Sequence, residues 1–398
     1  MDSKPVSRRT ILQGAAVAGL AGASGFVPTK FAIGNTAKVK VGIMLPYSGT
    51  YAGLGEAITN GMKMAIAEKG GKLGGRDIEY VAVDDESDPA KAPENANKLV
   101  TGEKVDFVVG TVHSGVAMGM VKVTKQSGTI TIIPNAGANA ATGPMCSPNI
   151  FRTSFSNWQT TFPLGKVAIE KGYKNVVTMT WKYAAGEEMI GAFEEHFTSR
   201  GGRIARQILV PFPNVEFQAN LTEIAALKPD AVMCFFAGAG ALKFVKDYAA
   251  AGLKGIPLIG PGFLTDGVLK GQGEAAEGIL TTLHYADNLD TPVNKTFRAA
   301  YEKQFGKGAD VYAVQGYDAG QLLVQSMAAV KGDTSAQPAL IAAMEKAEIK
   351  SPRGNFTFSK AHNPIQDIYL REVKNGQEMV LGVAQKGLID PARGCMAV

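Results

Sequence analysis

The four histidines, His113, His196, His284 and His362, are the first candidates for chemistry, because imidazole moves protons and binds metals near neutral pH. They are scattered, and none stands in HxH or HExxH spacing, so no metal ion is expected. No GxSxG elbow offers a nucleophile, and no GxxxxGK(S/T) loop cradles a phosphate. "FAGAGALKF" (236–244) follows a strand-like run and carries half of a dinucleotide fingerprint, but its third glycine is missing. The expectation is a chain with no cofactor and no catalytic residues.

Two stretches are better suited to holding a ligand. In "VVGTVHSG" (108–115), Ser114 stands where a helix would start, with its hydroxyl and the following N–H groups available to an anion. A plain helix cap is the alternative. "IIPNAGANAATG" (132–143) leaves a strand into Asn135, Ala136, Gly137 and Ala138, small residues that let a ligand approach the backbone, or that form an ordinary tight turn. His113 either lines the same cleft or covers a surface. Aromatic residues stand near several inferred loop ends: Tyr47 and Tyr51, Trp181 and Tyr183, Phe235 and Phe236, Phe263, and Tyr317. Any one of them is explained by packing, but their joint position at strand ends favours a pocket with aromatic walls.

These residues need a frame to bring them together. From Lys38 the chain alternates short β-branched runs with longer helical stretches, the pattern of parallel sheets covered by helices. Strands are predicted over 39–45, 77–85, 106–110 and 130–134, with helices over 55–69, 89–102 and 115–127. After "NIFRTSF" (149–155) the alternation restarts, with strands over 175–181, 205–211, 231–236 and 256–261 and helices over 186–200, 218–227 and 240–251. Helices over 292–306 and 309–330 and strands over 355–358 and 368–373 then revisit both halves. The fold class is α/β, two doubly wound Rossmann-like lobes joined by three hinge crossings. Residues 36–153 plus 285–350 form the N-terminal lobe, and 154–284 plus 351–398 the C-terminal lobe. Ligands of open parallel sheets sit beyond the carboxyl ends of the strands, so two facing sheets form a cleft, and domains crossed three times are natural hinges.

Composition excludes other classes. The 45% hydrophobic content fills two cores. With the leader removed, the net charge of +5 falls to about +2, which argues against a polyanionic partner. Basic runs interleaved with aromatics are missing, so no nucleic acid is expected. The opening "SRRTILQGAAVAGLAGASG" (7–25) has a positive start, a short apolar middle broken by glycines and a small-residue end. That is the layout of an export signal rather than an anchor. Its Arg8-Arg9 pair resembles a twin-arginine signal, with Ile11 and Gln13 as variants and ordinary secretion as the alternative. Residues 1–35 are set aside as signal and leader, with cleavage after Ala23 or Ala32, and the expected location is the periplasm. Of three cysteines, Cys234 in "AVMCFF" reads as a buried thiol. Cys146 and Cys395, in a loop and in the tail, are a candidate bridge in an oxidising compartment, with two free thiols as the alternative.

The mature chain resembles the type I periplasmic solute-binding proteins of the branched-chain amino-acid (Leu/Ile/Val) class, which serve ABC importers. The likeness rests jointly on "VKVGIMLPYSGTYAGLGEAITNGMKMAIAE", "DDESDPAKAPENANKLV", "VVGTVHSG" with "IIPNAGAN", and "IPLIGPG" followed by "AAEGIL". It implies a periplasmic binding protein-like I fold, a monomer that closes its lobes on one ligand, hands it to an inner-membrane permease and catalyses nothing. In amino-acid binders of this family the ligand carboxylate meets a serine matching Ser114 and groups matching Ala136 and Gly137, where the family has threonine. The ligand ammonium meets an acidic residue after the second-lobe "GP", where this chain has Gly262. The family's tyrosine before the glycine of the first second-lobe loop falls on Ala185.

A buried ammonium without a carboxylate partner costs several kcal/mol, so the departure at Gly262 favours a ligand without an amine. Asp266 or Asp318 supplying the acid would restore an amino acid. "PNAGAN" and "CSPNIFRTSFSNWQ" resemble the branch that binds aromatic carboxylates such as benzoate or hydroxycinnamate relatives. The expected site is Tyr47, Tyr51, His113, Ser114, Asn135, Ala136, Gly137, Trp181, Tyr183, Phe236, Gly262, Phe263 and Tyr317, with the carboxylate at Ser114 and a ring facing Phe263, Phe236 or Trp181. Amino-acid binding, a ligand sensor with the same fold, and a secreted enzyme are the competing readings.

Overall fold

The computed structural model describes residues 37–396; the expected signal and its twin arginines lie outside them. The first sheet holds β1 (Val39–Leu45), β2 (Ile78–Asp84), β3 (Phe107–Gly110), β4 (Ile130–Ile133) and β5 (Ile150–Arg152). All its pairings are parallel, in the order β2-β1-β3-β4-β5. Runs such as "VKVGIML" and "ITII" are buried along most of their length, as strands covered on both faces must be. Helices α1 (Ala52–Ala67), α2 (Ala92–Asn97), α3 (Ser114–Ser127) and the single turn α4 (Asn139–Thr142) fill the crossovers.

The second lobe repeats the plan. Strands β6 (Asn175–Lys182), β7 (Arg203–Pro211), β8 (Ala231–Phe235), β9 (Leu258–Pro261) and β10 (Leu280–Leu283) run parallel in the order β7-β6-β8-β9-β10. They alternate with α5 (Asn157–Glu170), α6 (Ala184–Ser199), α7 (Gln218–Leu227), α8 (Gly238–Ala250) and the short α9 (Leu269–Gln272). The chain then returns to the first lobe, where α10 (Pro292–Phe305) and α11 (Val311–Ala329) pack on α1 and α12 (Gln337–Glu345) packs on α11. It ends in the second sheet with β11 (Thr357–Phe358), β12 (Pro364–Lys374) and β13 (Gln377–Leu388), all antiparallel additions. Three crossings join the lobes: β5 to α5, β10 to α10 and α12 to β11.

Two elements of this frame follow from capping chemistry. Ser156 and Gln159 form a reciprocal capping box at the start of α5, with the Gln159 N–H donating to Ser156 Oγ and the Ser156 N–H to Gln159 Oε1. The Ala313 N–H donates to Asp310 Oδ1 at the start of α11. Cys146 and Cys395 form a disulfide with Cα atoms 5.6 Å apart, and Cys234 is a buried free thiol. Among the described residues no helix is long and apolar enough to cross a membrane.

Candidate functional site

Strand order places the site. Each sheet reverses direction of growth beside its central strand, between β1 and β3 in one lobe and between β6 and β8 in the other, and loops part at such points to leave a crevice. The two crevices face each other across a tightly packed pocket with a cavity volume of about 20 Å³. The first lobe contributes Tyr51 and Leu54 after β1, Val112 and Ser114 after β3, Asn135 and Gly137 after β4, and Tyr312 from the first turn of α11. The second contributes Phe155 and Asn157, then Tyr183, Ala185 and Met189 after β6, Phe235 and Ala237 at the end of β8, and Phe263 after β9.

No residue of the lining carries a formal charge. The walls are aromatic: Phe263 packs on Phe155 with ring centroids 4.7 Å apart, and Phe235 and Tyr312 stand 6.3 and 6.2 Å from it. Polar groups gather at two places. Ser114 is the first residue of α3, so its N–H has no intrahelical acceptor. The N–H groups of Gly115 and Val116 are taken by His113 Nδ1, leaving the N–H and hydroxyl of Ser114 to the pocket. Asn157 Nδ2 donates to Ser114 Oγ at 3.3 Å and to Glu188 Oε2 at 2.7 Å, which also accepts the Asn139 N–H. At the second place the hydroxyls of Tyr51 and Tyr183 share a hydrogen bond. Burial raises both phenol pKa values, so both stay protonated at neutral pH.

Of the residues expected from the sequence, Tyr51, Ser114, Asn135, Gly137, Tyr183 and Phe263 line this pocket. The others have different surroundings. His113 caps α3 and stacks on Tyr183, ring centroids 4.5 Å apart; burial pushes its pKa down to about 4, so it is neutral. Ser114 is thus relieved of the capping duty that was its alternative role. Ala136 turns its N–H to the Thr111 carbonyl, which ties the loop to β3. Trp181 and Phe236 sit one layer below, edge to face with centroids 5.0 Å apart, and the indole N–H donates to the Asn214 carbonyl. Tyr47 is bonded to Thr59, and Tyr317 donates to Glu68 and packs on Phe297 away from the cleft.

Gly262 lies beneath the pocket floor. A Cβ there would come within 2.7 Å of Arg371 Cζ, because the buried guanidinium of Arg371 fills that space, paired with Asp266 at 2.8 Å and Glu378 at 2.9 Å. Asp318 is likewise held by Arg353 at 3.1 Å and by Ser351. Both acids that stood as substitutes for the missing ammonium partner are therefore engaged with arginines. Carboxylate oxygens of Asp266, Asp287 and Glu378 lie within 4.8 Å of one another, as a metal site would require, but Arg371 bonds two of the three.

Gly137 is explained by its neighbours. A side chain there would meet Phe155 Cε2 at 2.5 Å and Asn157 Cγ at 2.8 Å, so the threonine of amino-acid binders has no room. Leu54, Val112, Phe155, Asn157, Met189, Ala237 and Tyr312 are the lining residues that sequence reasoning did not nominate; Phe235 stood among the loop-end aromatics but Phe236 was placed in the site, and Ala185 was named only as the match to the family's tyrosine. For Phe155 and Asn157 the signals were the "CSPNIFRTSFSNWQ" stretch that contains them and the capping pattern at Ser156, which marks Asn157 as a helix start.

A family model described as periplasmic binding protein matches residues 38–378. The Leu/Ile/Val-binding protein homolog 6 of Brucella melitensis biotype 1 is 34% identical over 348 residues, spanning 85% of this chain and 88% of that protein. An ABC transporter solute-binding protein from R. palustris, solved in complex with benzoate, is 54% identical with a TM-score of 0.89, over 90% of this chain and 100% of that one. Another, from Rhodopseudomonas palustris BisB5 in complex with 3,4-dihydroxybenzoic acid, is 32% identical with a TM-score of 0.84, over 89% and 99%.

Proposed function

The chain belongs to the periplasmic binding protein family, and from that premise we propose that it captures a small aromatic carboxylate, of benzoate or hydroxybenzoate type, for an ABC importer. The observation that carries this reading is the charge-free pocket: aromatic walls for a ring, neutral donors for a carboxylate, and no free acid for an ammonium. An α-amino acid would bury its ammonium there unpaired, at a cost of several kcal/mol. The benzoate and dihydroxybenzoate carried by the two R. palustris proteins support the same ligand class.

In this reading the carboxylate rests on Ser114 and the Gly137 backbone, the ring stands against Phe155, Phe235 and Phe263, and Tyr51 and Tyr183 face a ring substituent. Lobes 36–153 plus 285–350 and 154–284 plus 351–398 close about the three crossings, and the closed monomer delivers its ligand to a permease without chemistry. Residues 1–35 direct export to the periplasm, with Arg8-Arg9 favouring the twin-arginine route. Titration calorimetry on refolded, ligand-stripped protein against benzoate, 4-hydroxybenzoate, coumarate and leucine tests it. Tight leucine binding with none for the aromatic acids would sink the proposal.

A further inference from the structure

The pocket lining holds no lysine or arginine, although the ligand proposed above is an anion. A cation stands directly behind it. Arg152, the last residue of β5, is fully buried, and its guanidinium has no carboxylate at hydrogen-bond distance. Its Nε donates to Asn363 Oδ1 at 2.7 Å, Nη1 to the carbonyls of Ala136 at 3.2 Å and Ala138 at 2.9 Å, and Nη2 to Thr142 Oγ1. Buried guanidinium groups are ordinarily paired, so this one is unusual. Burial lowers its pKa to about 10, opposed at longer range by Asp390 and Glu188, and it remains charged at neutral pH.

A carbonyl and the N–H of the next residue share one planar peptide unit. A cation on the oxygen therefore strengthens the N–H as a donor. The unit that starts at the Ala138 carbonyl ends at the Asn139 N–H, which donates to the Glu188 carboxylate at 2.9 Å. The unit that starts at the Ala136 carbonyl ends at the Gly137 N–H. Gly137 lines the pocket, and its N–H meets no acceptor among the described residues. Two parallel relays leave one arginine; one ends on a carboxylate of the protein, the other on an unclaimed N–H of a residue that lines the pocket.

We propose that Arg152 is the positioning residue that makes this pocket select an anion, offering a charge-assisted donor to the ligand carboxylate through the Ala136–Gly137 peptide. The inference rests on the aromatic-carboxylate reading and adds the origin of its charge preference.

Calorimetry with the full chain, stripped of carried ligand, compares benzoate with benzamide, which keeps the ring and the shape and lacks the charge. Arg152→Gln is expected to weaken benzoate about tenfold or more while benzamide changes less than about threefold. Arg152→Lys, which keeps the charge and loses the planar fork, is expected to restore part of the preference. Equal losses for both ligands in Arg152→Gln would make Arg152 a mere brace for the loop and overturn the proposal, as would no loss at all. Should Arg152→Gln fail to fold, the wild-type Gly137 amide decides: benzoate must move its proton resonance farther downfield than benzamide does. An amide indifferent to benzoate overturns the proposal. A wild-type protein that binds neither benzoate nor a hydroxybenzoate overturns the parent reading and this inference with it, whereas failure in the variants alone overturns only this one.

Discussion

The hydroxyls of Tyr51 and Tyr183 stand 2.9 Å apart across the cleft, one from each lobe. Two protons serve one shared bond, so the second is available to a ligand acceptor. Tyr183→Phe removes a bond that joins the two lobes and leaves Tyr51 without its partner. Affinity should fall by about 0.5 to 1.5 kcal/mol with little change in melting temperature, since each lobe keeps its own core. Calorimetry beside thermal melts checks this; an unchanged dissociation constant would mean that the pair does not report closure.

Ser114→Ala should weaken benzoate by about 1 to 3 kcal/mol, the cost of taking a donor from a buried charged oxygen. His113 carries the helix cap, so the fold should tolerate the change. Equal affinities in the two proteins would remove Ser114 from the carboxylate site.

Gly137→Thr restores the residue that amino-acid binders carry, into space held by Phe155 and Asn157. Overpacking of this kind costs about 1 to 3 kcal/mol, and here it also narrows the pocket. A lower melting temperature together with lost aromatic-acid binding is expected; a variant that gains leucine binding without losing stability would contradict the crowding.

His113 provides a pH test. Its pKa is about 4 in the folded chain against about 6.5 when unfolded. The unfolded state then binds more protons between those values, so the His113 contribution is present above about pH 6.5 and is lost as pH falls, by up to roughly 1.4 kcal/mol per unit. Asp85 and Asp310, raised to about 6, and Asp318, raised to about 7, act in the opposite sense. The comparison is therefore between wild type and His113→Asn, which retains a capping side chain. The stability difference between the two should move against the wild type from pH 6.5 downward; parallel denaturation curves would refute a neutral, buried His113.

Cys395→Ser opens the bridge between Cys146 and the tail, which are separated by 249 positions. Loops of this size give disulfides their larger effects, about 2 to 4 kcal/mol. Chemical denaturation with and without reductant should show that loss in the wild type and none in the variant. Intact mass showing two free thiols in the native protein would dispose of the bridge.

Alternation of β-branched and helical runs was enough to locate most of the frame. It missed α5 and α12, the short strands β5 and β10, and β13, where Met379, Leu381 and Val383 are exposed and break the usual inside-outside pattern. In the pocket the difficulty was register. Phe235 and Phe236 are both aromatic, and a strand turns successive side chains to opposite faces, so only coordinates decide that Phe235 meets the ligand space and Phe236 the core. Trp181 and Tyr183 differ for another reason: Trp181 lies within β6, and Tyr183 is the first residue past its end. Contacts made across the lobes, such as Asn157 to Ser114, join segments 43 residues apart and have no local pattern to betray them.

The guanidinium beneath Gly262 is a resident cation in the neighbourhood where amino-acid binders wait for one to arrive with the ligand. An acid at position 262 therefore cannot be introduced without rearranging this buried cluster. A carboxylate at position 262 alone runs into Arg371, and loss of Arg371 alone strands Asp266 and Glu378 in the interior. Loss of Arg371 leaves those two acids unpaired whatever stands at position 262, so a pocket for an ammonium in this place would need the buried acids to change as well.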